Sequence, residues 1–324
     1  MDKVFSGIQP SGQLHLGNYL GAVQKWVQLL EDHDCIYCIV DYHAVTQDYE
    51  PKELKGRIFE MAAGLLACGI DPDKCRLFVQ SHVPEHTELA WVLHTVTPMG
   101  ELERQVQYKS KSENQPENIN VGLFSYPVLQ AADILLYRAD KVPVGEDQVQ
   151  HLELAREIVR KFKSRYGYEF PEPKPVLSDV KRLKGLDGDD KMSKSLGNTI
   201  GIDEDEESIT AKIKKAKTDP QRKKRKDPGD PEICNIYTLH KFFSSEKTQK
   251  WAADGCKSAD IGCGDCKEKL TKRIVGHLAP IQERLQELRA APDKVWDILH
   301  QGAVACRREA ATNLDAVRQA MGLR

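Results

Sequence analysis

Residues 4–80 alternate between apolar runs, turn punctuation and helical periodicity, and that alternation leaves few folds open. Val4-Phe5-Ser6-Gly7-Ile8 reads as a short buried strand, Gln9-Pro10-Ser11-Gly12 breaks it, and Leu16, Leu20, Val23, Val27 and Leu30 then recur at helical spacing. The unit repeats: Cys35 to Val40 is strand-like, Leu54 to Leu66 is an amphipathic helix, Gly69-Ile70-Asp71-Pro72 is a turn, and Arg76 to Gln80 is another strand. Strands separated by helices of this length predict a parallel sheet in a doubly wound α/β domain. A helix over Phe124 to Tyr137, a short strand at Val142-Pro143-Val144 and a helix over Gln148 to Phe162 extend the pattern.

The pattern changes after Thr199. Residues 203–207 are all acidic, and the stretch from Ala211 to Asp227 carries nine Lys or Arg against two Asp, so the first helix beyond the break is acidic at its start and basic at its end, as the helix dipole favours. From Leu270 the apolar positions Leu270, Ile274, Leu278, Ile281, Leu285 and Leu288 step as in one long helix, with Pro280 expected to kink it. The expected organisation is an α/β domain over 1–199, a mainly helical domain over 200–290, and a helical segment over 291–324 for which packing back on the first domain is one arrangement. With 40% hydrophobic and 30% charged residues, the 324-residue chain reads as globular, and its net charge of −2 names no partner. The start lacks a basic region followed by an apolar stretch, and no run of about 18 apolar residues occurs, so the expectation is a cytoplasmic protein with no membrane partner. Nine cysteines, an odd number, are expected in a reducing compartment as thiols or metal ligands.

Two segments carry chemistry. Ser11-Gly12-Gln13-Leu14-His15-Leu16-Gly17-Asn18 lies between strand and helix, where free backbone N–H groups and the dipole favour an anion. His15 can donate to phosphate oxygens, and Gly17 leaves room for a flat base; by itself the segment reads rather as a surface loop with a capping histidine. Lys191-Met192-Ser193-Lys194-Ser195 follows the glycine and aspartate run Gly185-Leu186-Asp187-Gly188-Asp189-Asp190. Two lysines with hydroxyls between them suit a polyphosphate, although a solvated basic loop has the same composition.

Together these segments resemble the HIGH-type motif and the KMSKS loop of the class I aminoacyl-tRNA synthetases, in the family's order. Asp41-Tyr42-His43-Ala44, Gln80-Ser81-His82-Val83-Pro84, the run Tyr126 to Leu135 and Val142 to Gln148 resemble the bacterial tryptophanyl branch in particular. The resemblance implies a Rossmann-type catalytic domain that activates L-tryptophan with ATP and Mg²⁺ and charges tRNA(Trp), in a homodimer. It implies His15, Asn18, Lys111, Lys191 and Lys194 as catalytic residues, with Lys109 beside Lys111 as a further triphosphate contact. For ATP it implies Gln9, Pro10, Ser11, Gly17, Asn18, Gly145, Glu146, Asp147, Leu183, Lys191, Met192, Ser193, Lys194 and Ser195.

An indole needs a flat apolar pocket and one acceptor. Asp133, a carboxylate in an otherwise apolar run, is costly without a partner, and the resemblance makes it that acceptor. Phe5, Tyr126, Ile134, Val142 and Val144 are expected as pocket walls, each of which reads equally as core, and His43 and Gln148 as polar neighbours.

Cys234, Cys256, Cys263 and Cys266 form a C-x21-C-x6-C-x2-C pattern suited to zinc or to a [4Fe–4S] cluster; a subset of the resembled family carries such a cluster. Cys35, Cys38, Cys68, Cys75 and Cys306 read as buried apolar residues. The basic block Arg222-Lys223-Lys224-Arg225-Lys226 suits tRNA phosphates. Two other functions fit part of this pattern, a tyrosyl-tRNA synthetase and a non-catalytic metal-cluster RNA-binding paralogue.

Overall fold

The computed structural model describes residues 1–177, 183–189, 192–193 and 196–324, without the side chains of Ser110, Lys111 and Asn114. The chain divides into two compact units. One comprises Met1–Gln13, Ala22–Asp179 and Leu288–Arg324, the other Leu14–Gly21 and Val180–Glu287.

In the first unit, β1 (Lys3–Ile8), β2 (Asp34–Ile39), β3 (Cys75–Val79), β4 (Lys141–Val144) and β5 (Lys174–Leu177) form one parallel sheet in the order β3-β2-β1-β4-β5. Chain order reverses between β1 and β4, which makes their carboxyl ends the place where an open α/β sheet offers a crevice. Both faces of β2 are covered. Ile36 and Cys38 lie in the core cluster with Phe5 and Phe78, while Tyr37 turns the other way and stacks on Trp26 at 4.6 Å, donating its hydroxyl to the Trp26 carbonyl at 2.8 Å. That is why β2 reads as an unbroken apolar run rather than an alternating one. Cys35, Cys38 and Cys306 are buried, as expected; Cys68 and Cys75 are half-buried.

Departures from the sequence pattern appear at an edge strand and at two helices. β5 was not expected, because prolines flank and interrupt it at Pro173 and Pro175; it is an edge strand, where a missing N–H is tolerated. The helical run from Leu16 to Leu30 is divided into an α turn at Leu16–Asn18, a π turn at Tyr19–Val23 and an α segment at Gln24–Leu29. The helix Val121–Leu135 begins earlier than its apolar period because Asn120 caps it, accepting from the Leu123 amide at 2.8 Å. As expected, the apolar positions from Leu270 to Leu288 lie on one long helix, Cys263–Ala290, with Pro280 in its interior.

The closing helix, Pro292–Ala320, packs on β3 with Ala303, Cys306, Ala310, Leu314 and Val317 in the core cluster, and its Glu309 pairs with Lys3 of β1 and Arg76 of β3. Gly302 is the point of closest approach: a Cβ there would lie 2.0 Å from the Leu77 carbonyl oxygen, an atom fixed in the sheet. Gly302→Ala is therefore expected to destabilise the protein by about 3 kcal/mol through overpacking, lowering Tm by roughly 4 °C; an unchanged melting curve would refute this docking.

Candidate active site

Asp133 is 1% exposed in the helix Val121–Leu135, between Ala132 and Ile134, which are equally buried. Its Oδ2 accepts from His43 Nε2 at 2.8 Å, and its Oδ1 accepts from Gln80 Nε2 and His86 Nδ1, both at 2.7 Å. The three donors arrive from the exits of β2 and β3. His43 lies in the turn Asp41–Ala44, Gln80 in the turn Gln80–His82, and His86 at the start of the helix Glu85–His94. Two further bonds lock those turns together: Gln80 Oε1 accepts from the Tyr42 amide at 3.1 Å, and Asp41 Oδ1 accepts from the Ser81 amide at 2.9 Å. Burial alone would raise the Asp133 pKa, but the hydrogen bonds and charges of His43 and His86 outweigh it and hold the carboxyl well below the usual range.

A second polar chain runs off the end of β4. Gln148 Nε2 donates to Asp147 Oδ2 at 2.9 Å, Gln148 Oε1 accepts from His151 Nδ1 at 2.9 Å, and His151 Nε2 therefore accepts from the Tyr126 hydroxyl at 3.1 Å. Burial, and secondarily the Asp147 charge, raises the Tyr126 pKa. Gly145, Glu146 and Asp147 are exposed at this strand end, where a Cβ at Gly145 would sit 2.5 Å from Asp147 Oδ1 and displace that carboxylate. Of the expected pocket walls, Phe5, Ile134 and Val142 are members of the core cluster, Val144 packs against it, and Tyr126 is buried. Gln9, Pro10 and Ser11 form the turn after β1, where the Ser11 amide donates to the Gln9 carbonyl at 2.8 Å. Lys109 is exposed in the helix Val106–Asn114.

In the second unit His15 caps the short turn Leu16–Asn18. Its Nδ1 accepts from the Gly17 amide at 3.1 Å, and Asn18 Oδ1 accepts from the His15 amide at 3.3 Å. The space beside Gly17 is taken by that imidazole, since a Cβ at Gly17 would lie 2.9 Å from two ring atoms. Backbone bonds from Leu16 N to Ile200 O at 2.9 Å and from Ile202 N to Leu14 O at 3.0 Å join the first motif to the segment after the second. Met192 is buried, its amide donating to the Leu183 carbonyl at 3.1 Å, and the Ser193 amide donates to Asn198 Oδ1 at 2.8 Å. Lys191, Lys194 and Ser195, and the side chain of Lys111, lie outside the described residues.

Around the cysteine pattern, Arg222 directs a guanidinium nitrogen at Cys256 Sγ from 3.8 Å, and His240 Nε2 lies 3.4 Å from Cys266 Sγ. Burial, and secondarily the charges of the other three cysteines, pushes the Cys266 thiol up to about 12. Among the described residues, no group of three or more His, Cys, Asp or Glu closes on one point as the ligands of a single metal ion do.

Sequence reasoning reached Asp133, His43 and Gln148 but missed Gln80, His86, Tyr137 and His151. His86 carried a readable signal: with Leu89, Ala90 and Leu93 it shares one apolar helix face, a position where a polar side chain must have a partner.

A buried anion with converging donors at the carboxyl ends of a parallel sheet suits recognition of a ligand N–H, and the sequence family described as class I tRNA synthetases (W and Y) matches residues 2–279. The chain belongs to that family. Among relatives of this synthetase, a tryptophan–tRNA ligase of Deinococcus radiodurans is 52% identical over 99% of both chains. One of Thermotoga maritima is 45% identical, again over 99% of both. A tryptophanyl-tRNA synthetase of Campylobacter jejuni complexed with ADP and tryptophan superposes with a TM-score of 0.89 at 38% identity, covering 99% of each chain. Among the described residues of the synthetase, no helix is long and apolar enough to cross a membrane.

Because the folded Asp133 pKa is depressed, the stability it contributes is present above the unfolded value of about 3.9 and is lost as pH falls below it. Asp133→Asn is expected to cost about 3 kcal/mol at neutral pH, with the gap to wild type narrowing by about 1.4 kcal/mol per pH unit below pH ~4. Denaturant unfolding of both proteins across that range tests the sign, and a gap that stays constant or widens would refute it.

Proposed function

We propose that this class I synthetase is a tryptophan–tRNA ligase. The observation that carries the reading is Asp133, a buried carboxylate held ionised by three donors within the otherwise apolar run Ala131–Leu135. An indole is the one proteinogenic side chain that combines a large flat apolar body with a single N–H donor. Asp133 accepts that N–H, while His43 and Gln148 face the polar end of the amino acid.

In the first step a tryptophan carboxylate oxygen bonds to the α-phosphorus of ATP as the bond to the β-phosphate bridging oxygen breaks, giving tryptophanyl adenylate and pyrophosphate. The carboxylate is already a nucleophile, so positioning and charge stabilisation supply the acceleration and no protein base is required. His15, Asn18, Lys111, Lys191 and Lys194 answer the charge on the phosphates, Asp147 accepts from a ribose hydroxyl, and Mg²⁺ would supply further charge neutralisation when bound. In the second step a ribose hydroxyl at the 3′ end of tRNA(Trp) attacks the acyl carbon and AMP leaves. The exposed block Lys223-Lys224-Arg225-Lys226 contacts tRNA phosphates, and two copies of the chain form the working dimer. Exchange of pyrophosphate into ATP that depends on tryptophan and not on tyrosine is the expected result; exchange with tyrosine, or none, would overturn the reading.

Cys234, Cys256, Cys263 and Cys266 are assigned to a [4Fe–4S] cluster. The C-x21-C-x6-C-x2-C spacing supports the assignment, and these four thiolates would hold the cluster. A Cβ at Gly229 would lie 2.7 Å from Cys256 Sγ, so the backbone leaves that sulfur its space. A bound cluster would tie the turn at Cys234 to the end of the helix Glu246–Lys257 and the start of the helix Cys263–Ala290. Protein purified without air is expected to be brown with about four irons per chain; a colourless, iron-free preparation would exclude the cluster.

A further inference from the structure

Behind Asp133 stands a pair of side chains that substrate binding and catalysis do not use. His86 is fully buried, its ring 5.7 Å from that of Phe78 and 5.4 Å from that of Tyr137. Its Nδ1 reaches Asp133 Oδ1 at 2.7 Å, and its Nε2 reaches the Tyr137 hydroxyl at 2.8 Å. Tyr137 is itself fixed, stacked on Phe5 at 5.6 Å and edge-on to Phe78 at 5.9 Å.

A carboxylate torsion is soft, and its two oxygens offer about four lone-pair directions. Among the described residues, Oδ1 accepts from both Gln80 and His86, whereas Oδ2 accepts from His43 alone. Oδ1 is thereby filled, and the one open acceptor direction lies at Oδ2. We propose that His86, held by the Tyr137 hydroxyl, is a positioning residue that fixes the rotation of Asp133 and presents the open lone pair of Oδ2 to the substrate N–H. The pocket then selects its amino acid by that one hydrogen bond as well as by shape. This rests on the reading of Asp133 as indole acceptor.

The test compares L-tryptophan with β-(3-benzothienyl)-L-alanine, which has sulfur in place of the indole N–H, in pyrophosphate exchange by wild type, His86→Gln and Tyr137→Phe. Wild type is expected to prefer tryptophan by at least about 100-fold in kcat/KM, because a site built for an N–H leaves its acceptor unpaired against the analogue. His86→Gln should lose about 10–100-fold on tryptophan, mostly in KM, since the contact is made in ground and transition states alike, and should leave the analogue within about threefold. Tyr137→Phe should move the same ratio in the same direction by about 3–10-fold, and it decides alone if His86→Gln does not fold. Equal losses on both substrates, or no loss on either, overturn the positioning role and leave the acceptor reading standing. A wild type without preference overturns the acceptor reading itself.

Discussion

Moving a carboxylate from water into an apolar helix face costs several kcal/mol unless hydrogen bonds replace the water. At Asp133 the replacements come from three places in the chain, and none is local: His43, Gln80 and His86 lie 90, 53 and 47 residues away. They meet only because β2 and β3 are parallel neighbours whose carboxyl ends open on the same side, in a register that pairs Cys38 with Phe78 and Ile39 with Val79. The turns that follow those strands are in turn bound to each other through Asp41 and Gln80. The sheet therefore does more than carry the site. Its register is what makes a buried charge tolerable there.

The second unit solves a related problem with a neutral side chain. Asn198 is buried, and its Oδ1 accepts from the Ser193 amide while its Nδ2 donates to Asp187 Oδ2 at 2.6 Å and its carbonyl accepts from the Leu186 amide at 2.9 Å. Gly185 has to be glycine beside it, since a Cβ would fall 2.0 Å from the Asn198 amide nitrogen. An amide that both donates and accepts can tie two stretches of loop without a net charge, so this part of the chain needs no ring of donors.

The strands β1 to β4 were legible because buried parallel strands leave continuous apolar runs, and Asp133 was legible because it interrupts the apolar run of a helix. Its partners were not, since a hydrogen bond between residues 47 apart has no sequence period. His86 showed only as a polar residue on the apolar face it shares with Leu89 and Leu93, and one such residue does not say what it bonds. Lys174–Leu177 was hidden by its prolines. The pairing of Leu14 and Leu16 with Ile200 and Ile202 was hidden for another reason: it runs through backbone atoms, which every residue carries alike. Phe5 and Val142 were read as either pocket or core, and sequence could not decide because both roles ask for the same apolar bulk.

A buried anion accepts from any donor brought to it, a phenol O–H as readily as an indole N–H, so charge by itself does not separate the two aromatic amino acids. Direction does. The indole N–H lies on the flank of a rigid bicycle, whereas a phenol O–H projects from the tip of a single ring, and one open acceptor direction cannot align with both at the same ring depth. A freely rotating carboxylate would follow whichever ligand entered. Donors on both oxygens prevent that, and the same three bonds that make Asp133 tolerable in the core also restrict what it can recognise. On the proposed reading of Asp133, stability and selectivity are two consequences of one arrangement, and a change to any of the three donors acts on both.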